Sequence, residues 1–230
     1  FIALKQHLAA NGFSCPLPVS GKDGTALRTL AGRPAVIVTF LQGLSPRVPN
    51  AAQCRQLGKG LAKLHAAAAD FAMTRENDLG PSDWPALWQG RAAEADALQA
   101  DLAPKITQDL EAFTAAEAAF EPLPKGTIHA DLFPDNAFFL GDEFSGAIDF
   151  YFACTDALAY DLAICINAWA FEPDGAFNYS KGKNLIAGYN SVRPLSEPER
   201  AAFPLLCRGA ALRFFLTRLV DWSETPADAL

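Results

Sequence analysis

The sequence predicts an α+β protein in two lobes: a small β-containing piece over residues 1–43 and a larger, mainly helical lobe over 44–230. Three observations lead there. Residues 34–41 (PAVIVTFL) form a near-continuous apolar, β-branched run that reads as a buried strand, cut by Gln42-Gly43-Leu44-Ser45-Pro46. From about residue 50 the apolar residues recur at helical spacing, as with Leu57, Leu61 and Leu64. Inside that helical half, a strand-rich centre over 126–152 interrupts the pattern.

In chain order, residues 1–11 read as a helix stopped by Asn11-Gly12. It opens in mid-pattern, with Phe1, Leu4 and Leu8 as the back half of an amphipathic stripe, so further residues are expected before Phe1. Residues 16–19 are extended, Gly21-Lys22-Asp23-Gly24 is a turn, and 26–30 is a short strand. Helix follows over 51–71, then a loop leading into a helix over 81–88 and one or two helices over the Ala-rich 91–120. Segments 157–171, 181–189 and 197–222 are again helical, with Asp156 as the N-cap of the first.

Composition narrows the class. Half of the residues are apolar and 11% are aromatic, enough for a packed core. The net charge of −7 disfavours nucleic acid as a partner. The five cysteines are widely spaced with no C-x-x-C pair, which predicts free thiols in a cytoplasmic protein. The longest apolar stretch, 157–171, is broken by Asp161 and Asn167 and is too short to cross a membrane.

The chemistry lies in Gly126-Thr127-Ile128-His129-Ala130-Asp131-Leu132-Phe133-Pro134-Asp135-Asn136, followed by Asp149 within Gly146-Ala147-Ile148-Asp149-Phe150. Between them Gly141-Asp142 signals a hairpin turn flanked by apolar strands 137–140 and 146–150. The hairpin returns Asp149 to the side of Asn136, so three oxygen-bearing side chains converge at its base. That set suits a hard cation such as Mg²⁺. The first carboxylate, Asp131, is placed to accept a proton from an attacking hydroxyl. Each Asp taken singly also reads as a turn cap; the ordered set of three does not. His129 reads as a brace for the loop.

HADLFPDN with IDFYFA resembles the aminoglycoside/choline kinase-like phosphotransferase superfamily, whose loop reads H-G-D-x-x-x-x-N. Ala130 stands where Gly is commoner. The resemblance implies a protein-kinase-like fold using ATP, with Asp131 as catalytic base and Asn136 and Asp149 as Mg²⁺ ligands. Thr39-Phe40-Leu41-Gln42-Gly43 resembles the hinge between lobes, where backbone groups of Phe40 and Leu41 would meet adenine. Leu57-Gly58…Leu64-His65 resembles a family helix, and Tyr160-Asp161-Leu162-Ala163 resembles a segment whose Asp161 would anchor the catalytic loop. The longer stretches FFLGDEFSGAIDFYFAC and ALRFFLTRL resemble bacterial homoserine kinases of the choline-kinase-like type. They imply L-homoserine as the acceptor and a place in threonine biosynthesis. Another small alcohol, or an inactive binding module, are the alternatives.

The sequence departs from the family pattern in one region. Neither a Gly-rich phosphate loop nor a small-lobe Lys can be assigned to it; Gly58-Lys59-Gly60 falls inside a helical pattern, and residues 36–40 carry no Lys. For the substrate pocket, Arg213 and Arg218 are candidates to meet a carboxylate. Tyr151, Asn167 and Trp169 follow Asp149 closely enough to line the same cleft.

Overall fold

The computed structural model describes residues 1–225. They form a mixed α/β fold, mostly helical, with small antiparallel sheets. Helix α1 (Ile2–Ala10) packs on α2 (Ala51–Ala67), and between them lie β1 (Arg28–Leu30) and β2 (Arg33–Ala35). Here the expectation for 34–41 fails. Only β2 pairs with β1, and Ile37 and Phe40 are 74% and 88% exposed. The apolar run lies instead beside residues 17–19, through Val19 N–H to Ile37 O and Thr39 N–H to Leu17 O, both 2.8 Å. That pairing satisfies one edge of the ribbon and covers neither face.

The remaining elements are α3 (Trp84–Trp88), α4 (Ala92–Leu98), α5 (Leu102–Ala115), α6 (Glu117–Phe120), β3 (Lys125–Ile128), β4 (Ala137–Leu140), β5 (Glu143–Ala147), β6 (Cys154–Ala157), α7 (Leu158–Trp169), α8 (Tyr179–Asn190) and α9 (Glu197–Glu224). The Ala-rich 91–120 thus divides into three helices, more than the one or two its periodicity predicts. Asp101, in the left-handed region at φ 60°, separates the first two.

The hairpin is present, with Gly141 at φ 62° in its turn and Ala137 opposite Ala147. Its second strand ends at Ala147, earlier than the sequence predicts, because Asp149 turns left-handed at φ 55°. The expectation for Asp156 also changes. Ala157 occupies the N-cap of α7 without a side-chain cap, and Asp156 accepts instead from Ala157 N–H and Asn77 Nδ2, both at 2.7 Å.

Two features fix the hairpin and the segment between β3 and β4 on the helices. Asn50 and Gln53 form a capping box at the start of α2, and Asn50 Nδ2 donates to Asp142 in the hairpin turn at 2.9 Å. Farther along, α2 crosses α8 with backbones in contact: a Cβ on Gly58 would lie 2.1 Å from Leu185 O, and one on Gly188 would lie 2.0 Å from Arg55 O. This close approach requires glycine at both positions. It buries His65 of α2 against Tyr189 of α8.

Candidate active site

The segment between β3 and β4 is shaped by side chains that come from outside it. Asp161, one turn into α7 and fully buried, receives two main-chain donors: His129 N–H at 2.8 Å and Ala130 N–H at 3.0 Å. His65 Nε2 lies 3.0 Å from the same carboxylate, and its Nδ1 lies 2.8 Å from Tyr189 Oη. Burial alone would push the Asp161 carboxyl up, but the His65 hydrogen bond, the charge of the two histidines and the His129 N–H together hold it below the ordinary value. From α9, Arg213 Nη1 donates to Ala130 O at 2.7 Å, and from the end of α7 Trp169 Nε1 donates to Leu132 O at 2.8 Å. Ala130, buried, is held at φ 63°, a left-handed conformation uncommon for a non-glycine residue.

His129 joins the loop to the hairpin. Its Nε2 lies 2.8 Å from Ile148 O, and its Nδ1 lies 3.3 Å from Asp131 N–H. A carbonyl on one side and an N–H donor on the other fix the orientation of the ring between the two segments. The residue after Ile148 is Asp149, so this ring fixes the spacing between the two carboxylate-bearing segments. Ile148 N–H also donates to Asn136 O at 2.9 Å.

Asp131 and Asn136 meet directly, and Asp149 follows the Ile148 that bonds the Asn136 backbone. Asn136 Nδ2 donates to Asp131 O at 2.9 Å and to Asp131 Oδ2 at 3.3 Å, which fixes the amide with its oxygen turned away from Asp131. Asp149 Oδ1 accepts from Tyr151 N–H at 3.3 Å. Asn136 Oδ1 and Asp149 Oδ2 have no hydrogen-bond partner among the described residues. Two hard oxygens left unpartnered at the base of one hairpin fit a divalent cation of the Mg²⁺ type. Asp131 is half-buried and lies beside a cavity of about 460 Å³. Burial raises its carboxyl above the ordinary value; Arg213 and His129 oppose the rise, and Asp149 and Asp135 add to it.

The other candidates fall in different places. Arg213 lines the cavity with Asp131, Phe152, Phe214 and Thr217, its guanidinium 4.1 Å from the Phe214 ring centroid. Trp169 is buried under the loop, and Asn167 Nδ2 donates to Cys207 O at 2.7 Å, tying α7 to α9. Tyr151 is exposed and borders a separate hollow with Phe1 and Met73. None of these three lines the cavity beside Asp131. The Phe40 side chain is exposed. Leu41 packs on the hairpin where a Cβ at Gly146 would lie 3.1 Å from it, and Gln42 O accepts from Ser145 Oγ at 2.6 Å. Arg218 and Asp221, also on the cavity wall, were not both evident from sequence. The signal for Asp221 is its spacing on the Arg213 face of α9.

Comparison with known proteins establishes the family. Residues 1–195 match the model of the phosphotransferase enzyme family, and the chain belongs to that family. Over its whole length it is 64% identical to a homoserine kinase of Hyphomonas neptunium and 59% identical to one of Azorhizobium caulinodans, covering 72% and 71% of those proteins. Among solved structures, an amicoumacin kinase in complex with AMP-PNP superposes with a TM-score of 0.76 at 13% identity, over 99% of this chain and 72% of that one. A microcompartment-associated aminopropanol kinase gives 0.69 at 21% identity, over 96% and 77%. At these identities the structural likeness concerns the fold. No helix among the described residues is long and apolar enough to cross a membrane.

Proposed function

We propose that this protein transfers the γ-phosphate of ATP to the side-chain hydroxyl of L-homoserine, giving O-phosphohomoserine and ADP for threonine biosynthesis. The observation that carries the reading is the full-chain identity of 64% to a homoserine kinase, with Asp131 set beside a cavity large enough to admit an amino acid. Asp131 accepts the hydroxyl proton as the oxygen bonds to the γ-phosphorus and the bond to the β-phosphate oxygen breaks. Asn136 orients Asp131 through its Nδ2, and its Oδ1 with the Asp149 carboxylate would hold Mg²⁺. When bound, that ion neutralises phosphate charge. His129 and Asp161 fix the loop, so the base is preorganised and little rearrangement accompanies the transfer.

Residues 1–43 make up part of the nucleotide-side lobe, ending at a hinge whose Phe40 and Leu41 backbone groups meet adenine. Support for that placement comes from the packing of residues 41–44 on β4 and β5, the strands that run between Asn136 and Asp149. The five cysteines are unpaired thiols, in keeping with the reducing cytoplasm where the reaction would run.

The test is coupled ADP release from the full-length protein with L-homoserine, L-serine, L-threonine, choline and an aminoglycoside, using Asp131→Asn as control. Saturable turnover on homoserine, lost in the variant, is expected. Turnover confined to another alcohol would retain the base and overturn the acceptor.

A further inference from the structure

The wall of the Asp131 cavity formed by α9 carries an unusual pair of charges. Most arginines of α9 are engaged: Arg200 pairs with Glu197, Arg208 with Asp109, and Arg213 holds the Ala130 carbonyl. Arg218 and Asp221 differ. Both line the cavity, and among the described residues neither side chain has an ion-pair or hydrogen-bond partner. They stand three residues apart, neighbours on the helix surface with Cβ atoms ~5–6 Å apart, yet they are not joined to each other.

We infer that Arg218 and Asp221 form the subsite for the charged end of an α-amino acid acceptor, Arg218 receiving its carboxylate and Asp221 its ammonium. The inference rests on the function proposed above. Its physical basis is complementarity. A zwitterionic amino acid carries both charges on one carbon, and adjacent opposite charges on one helix face match it without rearrangement. An Arg fork binds a carboxylate through two parallel hydrogen bonds. The spacing also fits. Arg218 lies ~7.5 Å beyond Arg213 along the axis, on the wall of the same cavity that Asp131 borders. Phe152, Phe214, Leu87 and Val220 supply an apolar channel for the short alkyl chain between charged end and hydroxyl. An amino alcohol lacking the carboxylate would forgo the contact with Arg218, so the site would favour the amino acid over it.

The experiment compares kcat and KM of the full-length protein for L-homoserine, its decarboxylated analogue aminopropanol and its deaminated analogue γ-hydroxybutyrate. Arg218→Met is expected to raise KM for homoserine roughly 10- to 100-fold with kcat little changed, while aminopropanol shifts less than about 3-fold. Asp221→Asn should show the mirror pattern, sparing γ-hydroxybutyrate. Arg218→Lys should recover part of the homoserine affinity, and melting temperatures should stay near wild type because both side chains are exposed. Equal losses on homoserine and aminopropanol in Arg218→Met, or unchanged homoserine KM, would overturn the subsite while leaving the proposed function intact. Absence of homoserine turnover in the wild type would instead remove the proposed function and this assignment together.

Discussion

Arg213 donates from Nη1 to the carbonyl of Ala130 at 2.7 Å, joining α9 to a residue 83 positions earlier in the chain. The bond ends on the residue before the candidate base, at a backbone position held left-handed. It makes Arg213 a positioning residue for Asp131. Arg213→Met should lower kcat roughly 10- to 100-fold, the usual cost of a small misplacement at a reacting group. It also strands a buried carbonyl, at about 1–3 kcal/mol. Steady-state kinetics beside urea denaturation test the claim; a destabilised variant with wild-type kcat would refute it.

Asp161 carries the other half of the clamp. Asn at this position keeps one acceptor oxygen but turns an amide toward a main-chain N–H, so Asp161→Asn should destabilise the fold by about 3–5 kcal/mol. The sign of the pH effect follows from the depressed carboxyl. Its contribution is fully present above the ordinary aspartate value of 3.8 and is lost as the pH falls through the lower folded value. Acid denaturation of wild type and variant should therefore converge below pH 3.8; parallel curves across that range would argue against a charged Asp161.

For Asp131 the sign is reversed. Burial raises its carboxyl, so folding disfavours the charged form and the variant Asp131→Asn should be at least as stable as wild type at neutral pH. Its kcat should drop roughly 10²- to 10⁴-fold. In the wild type, kcat/KM should fall on acidification through a value above 3.8, because the base must be unprotonated. A variant that is both inactive and unstable would assign Asp131 to structure.

The α2–α8 crossing makes a prediction about stability alone. Gly58→Ala or Gly188→Ala places a methyl group within 2.1 or 2.0 Å of a main-chain oxygen that cannot move aside. Each should cost about 2–3 kcal/mol or more. A thermal melt within a degree of wild type would mean that the helices separate freely.

The helical half and the hairpin were legible because period and turn chemistry are local signals. The same locality placed Gly58-Lys59-Gly60 inside a helix, where Gly58 serves a crossing and no phosphate loop. The run at 34–41 was misread because apolar β-branched composition states a preference for burial, while burial itself needs a covering layer. At the site, the loop motif pointed to His129, Asp131 and Asn136, the hairpin segment to Asp149, and the resemblance around Tyr160 to Asp161. The cavity wall was only partly legible. Trp169 and Asn167 are close to Asp149 in sequence, but α7 turns them toward Leu132 and Cys207. Arg218 and Asp221 are close to Asp131 only through the packing of α9.

The carbonyls of Ala130 and Leu132 and the amides of His129 and Ala130 are all gripped by side chains from α7 and α9. The loop is thus a casting whose mould lies elsewhere in the chain. Replacements inside it that respect the backbone, such as alanine where glycine is commoner at position 130, leave its shape to the mould. Replacements in the mould deform it without touching a reacting atom. A survey of inactivating mutations should accordingly cluster at 161, 169 and 213 as densely as within 129–136.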